Sequence, residues 1–284
     1  MKLPGDVELG AESAEPSFPD QTAGWYIQDY SPPPADTVKL FEEYSHISPN
    51  ELGEHLRRIR DEAWKVNADP CIALFKFVHL TLHQLPGYGF IIARLKASGK
   101  YLDIGCCMGQ DLRKLVMDGV PSDNLYGTDL YSGYLTLSYD LFRDKATLKS
   151  HLRQGNILTM TSEGDILRRL TGMVDIIHLG MLLHTMDIKQ QWLLIESCLG
   201  LLKSGCKTAI VGSALGHVDG AVGSDSNFLH SDRTFTKMCN DIAREAGMTL
   251  ECNVFLDRTL YFNNVPNNLS TDPSRKLVFE VYKM

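Results

Sequence analysis

Long apolar runs are absent from this 284-residue chain, and its opening residues lack one as well. No stretch of about 18 consecutive apolar residues occurs, so the sequence predicts no membrane-spanning helix. The first residues, MKLPGDVELGAESAEPSFPD, have no apolar core of the kind that a secretory signal needs. We therefore expect a cytoplasmic protein that neither enters nor crosses a membrane.

Clusters of basic residues are also scarce. The chain has 28 Lys and Arg against 35 Asp and Glu, a formal net charge of -7, and no block of Lys or Arg. Proteins that bind nucleic acid usually carry a concentrated positive surface, so a small-molecule partner is favoured over nucleic acid. The seven cysteines are odd in number and lie mostly in apolar segments, which indicates reduced thiols rather than a disulfide framework.

The first third of the chain is predicted to be a leader followed by a helical cap. Residues 1–24 are rich in Gly, Pro, Ser and acidic residues, as flexible segments are. Within the cap, residues 25–98, apolar side chains recur every three to four positions over 36–66, with a break at Ser48-Pro49 where Ser48 can cap a second helix. A further helix is predicted over 71–82, ending before Pro86-Gly87.

An aromatic cluster of Trp25, Tyr26 and Tyr30 stands at the start of this cap. Three interpretations stay open for it. The cluster forms a lid over an apolar substrate, anchors the N-terminal segment to the domain, or docks on a second copy of the chain in a homodimer.

From residue 99 to 284, apolar strands alternate with amphipathic helices, which predicts a doubly wound α/β fold. Strands are predicted at 100–104, 124–128, 151–154, 173–179 and 207–212, with helices near 109–118, 132–143, 163–170, 188–202 and 232–246. The segments 250–256 and 276–283 alternate without a helix between them, only an Asn- and Pro-rich loop around 263–274. The sequence thus predicts a seven-stranded, mostly parallel sheet with a C-terminal antiparallel hairpin.

The stretch YLDIGCCMGQD, residues 101–111, runs from a strand into a glycine-containing loop. Counted from Gly105, a dinucleotide loop needs glycine two and five positions later, but Cys107 and Gln110 stand there. The pattern acidic-x-G-x-G-x-G fits instead through Asp103, Gly105 and Gly109, with only the middle glycine replaced. In this respect the sequence resembles the class I S-adenosylmethionine-dependent methyltransferases, which have a Rossmann-like fold.

The resemblance implies a site for S-adenosylmethionine. Glycines permit close approach of the backbone to a ligand, and an acidic residue after the second strand, Asp129, can take both ribose hydroxyls. Asn156 would contact the adenine amino group, Ile157 the ring face, and the segment beginning at His178 the methionine end. The full set of implied cofactor-binding residues is Asp103, Gly105, Cys107, Gly109, Asp129, Leu130, Asn156, Ile157 and His178.

A closer resemblance covers most of the chain from about residue 24. The run PGYGFIIARLKASGKYLDIGCCMGQDLRKLVMDG, followed by NLYGTDL, is similar to methyltransferases of fungal meroterpenoid gene clusters. Those enzymes methylate the carboxyl group of prenylated aromatic polyketide acids, and their loops carry the same paired cysteines. The resemblance implies O-methylation of an apolar natural-product acid in fungal secondary metabolism.

Several roles remain alternatives on sequence grounds. Cys106-Cys107 has no further ligands at metal-site spacing, so no metal is expected and small-residue packing is favoured. His184 either faces the substrate or is a helix cap, and Tyr88 either binds the cofactor or substrate acid or is a buried loop aromatic. A carboxylate acceptor needs no base, whereas methylation of a phenol would make His184 or His178 a candidate base. Methylation of a carbon would likewise give His184 a proton-transfer role. A non-catalytic methyltransferase-like partner protein is a different possibility.

Overall fold

Seven strands form one sheet at the centre of the protein. The computed structural model describes Tyr26 and residues 32–159, 165–223, 226–257 and 273–284. The strands are β1 (Tyr101–Ile104), β2 (Leu125–Asp129), β3 (His151–Gln154), β4 (Ile176–Gly180), β5 (Thr208–His217), β6 (Ala221–Val222), β7 (Phe228–Leu229), β8 (Leu250–Asp257) and β9 (Ser274–Lys283). The sheet order is β3-β2-β1-β4-β5-β9-β8, and β6 and β7 form a separate two-stranded sheet. β1 to β5 are parallel, and β9 runs antiparallel to both β5 and β8, which confirms the predicted fold class.

Helices cover both faces of this sheet. They are α1 (Ala35–Glu43), α2 (Pro49–Val66), α3 (Pro70–Ala73), α4 (Tyr88–Lys96), α5 (Gln110–Met117), α6 (Ser132–Phe142), α7 (Ile166–Arg169), α8 (Ile188–Leu201) and α9 (Asp232–Glu245). Tyr101 and Ile176 point toward α4 and α5, while Leu102 and Ile177 point toward α8 and α9. Burial on both faces explains why these parallel strands read as continuous apolar runs.

The N-terminal cap packs against α6. The rings of Phe41 in α1 and Phe142 in α6 are stacked with their centroids 5.2 Å apart. Nε2 of His55 in α2 lies 2.8 Å from the carbonyl oxygen of Leu141. α2 begins directly after Ser48, as predicted, and the Glu51 carboxylate accepts a hydrogen bond from the Ser48 N–H. The cap and the sheet domain therefore share one hydrophobic cluster.

Two secondary-structure predictions in this region are wrong. The predicted helix over 71–82 is broken into α3 and two 3-10 turns, Lys76–Val78 and Leu82–Gln84, because Phe75 takes a left-handed conformation with φ of 56°. Gly87, which the sequence suggested as a stop, instead directly precedes α4. The hairpin of β6 and β7 was not predicted either, since two-residue strands leave no periodicity to recognise.

Part of the aromatic cluster can be located. Tyr26 is buried, its ring meets Trp64 edge-on at 5.0 Å, and its hydroxyl donates to Asp61 across 3.0 Å. These contacts anchor Tyr26 to α2. The predicted leader, Trp25, Tyr30 and residues 263–272 of the predicted Asn- and Pro-rich loop lie outside the described residues. Among the helices that are described, none has both the length and the apolar character to span a lipid bilayer.

Candidate functional site

The glycine loop, residues 105–109, connects β1 to α5 at the carboxyl edge of the sheet. The N–H groups of Gly105 and Cys106 both donate to the carbonyl oxygen of Thr128, at 2.8 and 3.0 Å, so the end of β2 holds the start of the loop. The N–H of Gly109 then donates to the carbonyl of Cys106 across 2.7 Å. Ligands of open α/β sheets bind at this edge, where the strands end.

Gly105 and Gly109 are required by the space around them and by their backbone angles. Their φ values are 70° and 67°, which favour glycine. A Cβ on Gly105 would lie 2.9 Å from a methyl group of Leu182, and one on Gly109 would lie 2.8 Å from Nη1 of Arg113. Cys107 also has a positive φ, 49°, without being glycine, a conformation that costs roughly 1–2 kcal/mol.

Asp129, the last residue of β2, holds the glycine loop through a side-chain hydrogen bond. Its Oδ2 accepts a hydrogen bond from the Cys107 N–H at 2.8 Å, and its Oδ1 accepts one from the Tyr131 N–H at 3.0 Å. Burial raises the pKa of Asp129, although these backbone N–H groups partly offset that effect. Beside it, Leu130 is 53% exposed, an apolar side chain at the edge where a ligand would lie.

Arg113, a residue of α5, holds the same loop through hydrogen bonds to its carbonyl groups. The sequence analysis did not identify this residue. Its side chain is fully buried and forms a two-pronged ion pair with Asp144, with Nε–Oδ2 of 2.8 Å and Nη2–Oδ1 of 3.1 Å. Its Nη1 donates to the carbonyls of Met108 and Gly109, at 3.1 and 3.3 Å. The guanidinium group thus fixes two of the five loop residues.

A chain of buried polar side chains runs from β1 through β4 into the cap. Nδ1 of His178 lies 3.1 Å from Oδ1 of Asp103, and its Nε2 lies 3.3 Å from the hydroxyl of Thr81. That hydroxyl also donates to Oδ2 of Asp111 at 2.9 Å. The Asp111 carboxylate accepts further hydrogen bonds from the N–H groups of Thr81 and Leu82, both at 3.1 Å. We call these four side chains, Asp103, His178, Thr81 and Asp111, the polar latch.

The proton positions in the polar latch follow from its geometry. Because the single hydroxyl proton of Thr81 goes to Asp111, the Thr81 oxygen must accept from His178, so Nε2 of His178 carries a proton. Burial by itself lowers the pKa of His178, but the charge and hydrogen bond of Asp103 more than offset burial and raise it. A proton is therefore held between Nδ1 of His178 and Asp103. Both nitrogens of His178, which is 1% exposed, are engaged within the protein.

His184 has a different environment in the 3-10 turn Leu183–Thr185 after β4. Its Nδ1 accepts a hydrogen bond from the Leu215 N–H at 3.3 Å, and burial lowers its pKa to about 4. The side chain is therefore a neutral imidazole with its proton on Nε2. Nδ2 of Asn227 donates a hydrogen bond to the backbone carbonyl of His184 at 2.6 Å.

Other residues of the predicted site are more dispersed. Oδ1 of Asn156 accepts from the Leu158 N–H at 3.0 Å, and Ile157 is 5% exposed within the core. Tyr88, at the start of α4, donates its hydroxyl proton to Asp118. Asp118 follows the last residue of α5, about 12 Å from the glycine loop along that helix. The structure does not bring Tyr88 to the loop.

The paired cysteines pack on two different clusters. Cys106 lies beside β2, where a Cβ on Gly127 would come within 3.1 Å of its Sγ, and Cys107 packs against the cap cluster. Burial raises the pKa of both thiols well above the usual value. In the part of the chain that the structure describes, no group of three or more His, Cys, Asp or Glu side chains is arranged to hold a metal ion.

Comparisons with known proteins identify the family. Residues 25–78 match the family model described as the meroterpenoid methyltransferase N-terminal domain. The chain is 35% identical to the O-methyltransferase phiE of a fungal species over 81% of this chain and 78% of that protein. It is 38% identical to the Asnovolin E/Chermesin D methyltransferase nvfJ of Aspergillus novofumigatus over 74% of this chain and 77% of that one. The chain belongs to this family of fungal methyltransferases.

A solved structure is also similar to this methyltransferase. It is a S-adenosylmethionine-dependent methyltransferase from Leishmania major, 15% identical, with a TM-score of 0.49 over 86% of this chain and 90% of that chain. The family assignment does not depend on it. The methyltransferase is an enzyme, and the family model that it matches is one of meroterpenoid methyltransferases.

The residues at the carboxyl edge of the methyltransferase are chemically suited to S-adenosylmethionine, the methyl donor that the sequence resemblance implies. The glycine loop lies at the edge where ligands of such sheets bind, and the exposed side chain of Leu130 offers an apolar surface next to Asp129. Oε1 of Gln110, the first residue of α5, is buried and has no hydrogen-bond partner among the described residues. An unpartnered buried acceptor costs about 1–3 kcal/mol, so a donor group from a ligand there would be favourable.

Sequence reasoning missed three residues that organise the methyltransferase site. Thr81 and Asp111 join the cap to the strand ends, and Arg113 holds the loop. A buried arginine or threonine within an ordinary amphipathic pattern has no local signature. The one available signal was Asp111, an acidic residue in the first turn of a helix, which is also typical of an ordinary helix start.

Proposed function

We propose that this methyltransferase methylates the carboxyl group of an apolar natural-product acid, such as a prenylated aromatic polyketide or meroterpenoid intermediate. The acceptor would be the carboxylate oxygen and the product a methyl ester. Support comes from the family, which includes O-methyltransferases, and above all from the state of His184. Neither of the two histidines predicted as bases, His184 and His178, is suited to take a proton from a phenol.

His184 is a poor base for a phenol. A base whose conjugate acid has a pKa of about 4 takes a proton from a phenol of pKa about 10 against a gap of roughly six units, or about 8 kcal/mol. His178 is occupied by Asp103 and Thr81. A carboxylic acid has a pKa of about 4 and is already ionised at neutral pH, so it needs no proton acceptor.

The chain's own residues would therefore act by binding and alignment. S-adenosylmethionine, when bound, supplies a methyl group on an electrophilic sulfonium. Asp129 would hold the ribose hydroxyls, Leu130 would cover an apolar part of the donor, and the glycine loop would allow close approach. Asp103 would act indirectly, since His178 and Tyr101 already contact its oxygens at 3.1 and 3.3 Å.

The cap would complete the substrate side of the site. It is joined to the loop through Met108, which is fully buried in the cap cluster, and to the strand ends through Thr81. An apolar wall at this place would remove water from the acceptor carboxylate. Alignment and desolvation of a charged oxygen raise the rate of a displacement without any proton transfer.

The test is a methyl-transfer assay with matched acceptors. Aryl carboxylic acids, their methyl esters and their phenolic analogues are incubated with enzyme and labelled S-adenosylmethionine between pH 6 and 9. We expect transfer to the acids only, with a rate that is nearly independent of pH above pH 6. Methylation of the esters as readily as the acids, or a rate that climbs toward the phenol pKa, would refute carboxyl specificity.

A binding measurement separates failure of the acceptor assignment from failure of the enzyme. Calorimetric titration with S-adenosylhomocysteine should show one saturable site, and Asp129→Ala should weaken it by about tenfold or more, which is about 1.4 kcal/mol. The matched control is Asp123→Ala, which removes an exposed-turn carboxylate outside the carboxyl edge. Binding without transfer to any acid would point to another acceptor class.

A further inference from the structure

A cavity lies at the opposite edge of the sheet from the glycine loop. It has a volume of about 290 Å³ and is formed where β1, β2 and β3 begin, next to α7. Three cationic side chains line it: Lys100, Arg153 and Arg169. Ligands of open α/β sheets bind at the carboxyl ends of the strands. This cavity lies at the amino ends and is therefore separate from the proposed methyl-donor site.

No acidic side chain of the described residues balances these three cations. None of Lys100, Arg153 and Arg169 takes part in an ion pair among the described residues. The nearby carboxylate, Asp175, accepts from the backbone N–H of Lys100 at 2.7 Å, but it is itself buried and already paired with Arg94 and Lys203. The convergence of positive charge is a property of the fold, since the sequence has no basic block and a net charge of -7.

The remaining walls of the cavity are aromatic and apolar. The rings of Tyr126 and His151 are stacked with centroids 4.7 Å apart, and Nζ of Lys100 lies 6.0 Å from the centroid of Tyr126. Leu170 is buried, and Met173 is 40% exposed at the rim. A site with cations on one side and an apolar wall on the other suits a ligand with a charged head and an apolar body.

We propose that this cavity binds a small organic phosphate. The phosphate group would lie among Arg153, Arg169 and Lys100, because guanidinium groups donate paired hydrogen bonds to phosphate oxygens. The organic part would lie against Met173 and Leu170. The volume of about 290 Å³ accommodates a phosphate with a short apolar chain.

The experiment is a calorimetric titration of the methyltransferase, loaded with S-adenosylhomocysteine, with n-hexyl phosphate and with inorganic phosphate at physiological salt. We expect saturable binding of one n-hexyl phosphate per chain, weaker binding of inorganic phosphate, and at least a tenfold loss for the Arg153→Gln, Arg169→Gln double variant. The matched control is Arg57→Gln with Arg58→Gln, which removes the same charge from the exposed face of α2. The control should bind as the unmodified chain does.

A second variant tests the apolar wall. Met173→Ser should weaken binding of n-hexyl phosphate and leave inorganic phosphate unchanged, because only the hexyl chain would contact the thioether. Unaltered S-adenosylhomocysteine affinity shows that each variant is folded. The proposal is overturned if n-hexyl phosphate shows no saturable binding, or if the two double variants lose affinity equally, since general charge attraction would then account for the effect.

Discussion

Removal of one hydroxyl from the polar latch should destabilise the enzyme more than its size suggests. In Thr81→Val the branched shape is kept, but Asp111 loses a donor at 2.9 Å and Nε2–H of His178 loses its acceptor at 3.3 Å. A hydrogen bond to a charged group contributes about 1.5–3 kcal/mol, and an unpaired buried donor costs about 1–3 kcal/mol. Because the two N–H groups of Thr81 and Leu82 still reach Asp111, we expect a total loss of about 3 kcal/mol.

Urea unfolding at constant pH measures this loss. Thr37→Val is the matched control, since Thr37 is also fully buried in the cap but its hydroxyl donates only to the carbonyl of Val78, at 3.1 Å. That variant should cost about 1 kcal/mol. Thr81→Ser keeps the hydroxyl and should lose only the transfer energy of a methyl group, about 1 kcal/mol.

Two outcomes would refute the reasoning. If Thr81→Val costs no more than Thr37→Val, the hydroxyl is not bridging two buried charged groups. If Thr81→Ser costs as much as Thr81→Val, the loss comes from packing rather than from the hydrogen bonds. If the polar latch also positions the glycine loop, Thr81→Val should weaken the binding of S-adenosylhomocysteine measured by calorimetry. Thr81→Ser, which keeps the hydroxyl, should bind it as the unmodified chain does.

The remaining predictions concern the loop and the buried histidine. Arg113→Met should destabilise the protein by about 3–5 kcal/mol in urea unfolding, because Asp144 is left as an uncompensated buried charge. The double variant Arg113→Met, Asp144→Leu should recover part of that loss of stability. No recovery would contradict the ion-pair explanation. Cys107→Gly should leave the cofactor affinity within a few-fold of that of the unmodified chain. It should raise the stability by up to about 1 kcal/mol, because glycine adopts a positive φ without strain. Destabilisation would show that the packing of the thiol outweighs the backbone strain. His184 has its pKa lowered to about 4, so its contribution to stability is present above pH 6.5 and is lost as the pH falls from about 6.5 toward 4. His184→Asn, which keeps an acceptor for the Leu215 N–H, should reduce that acid-side loss by up to about 3 kcal/mol, and an unchanged pH profile of unfolding would contradict the assignment.

The fold was predictable because it depends on patterns that are local in the sequence. Alternation of strands and helices after residue 99 gave the parallel sheet, and two strands without a helix between them gave the antiparallel pair. The cap was harder. The turn at Phe75 is set by tertiary packing and not by a glycine or proline, so the apolar run over 71–82 imitates a helix.

The candidate site was predictable only where backbone geometry demands a residue type. Gly105 and Gly109 have that property, and Asp129 follows from its place at the end of a strand. The partners of buried side chains do not follow in the same way. Thr81 and His178 are 97 positions apart, and their contact exists only once the cap has docked on the sheet. Arg113 and Asp144 are 31 positions apart within the sheet domain, so no local pattern shows their pairing either.

This dependence has a consequence for the boundary that composition suggests near residue 98. All the donors to Asp111 that the structure places there, the N–H and hydroxyl of Thr81 and the N–H of Leu82, come from the cap side of that boundary. The cap cluster also takes Met108 and Phe142 from the sheet side. Without the cap, Asp111 would be left without these partners and the face of α6 would be exposed, so the stability of the cap and that of the glycine-loop edge of the sheet are coupled through the same side chains.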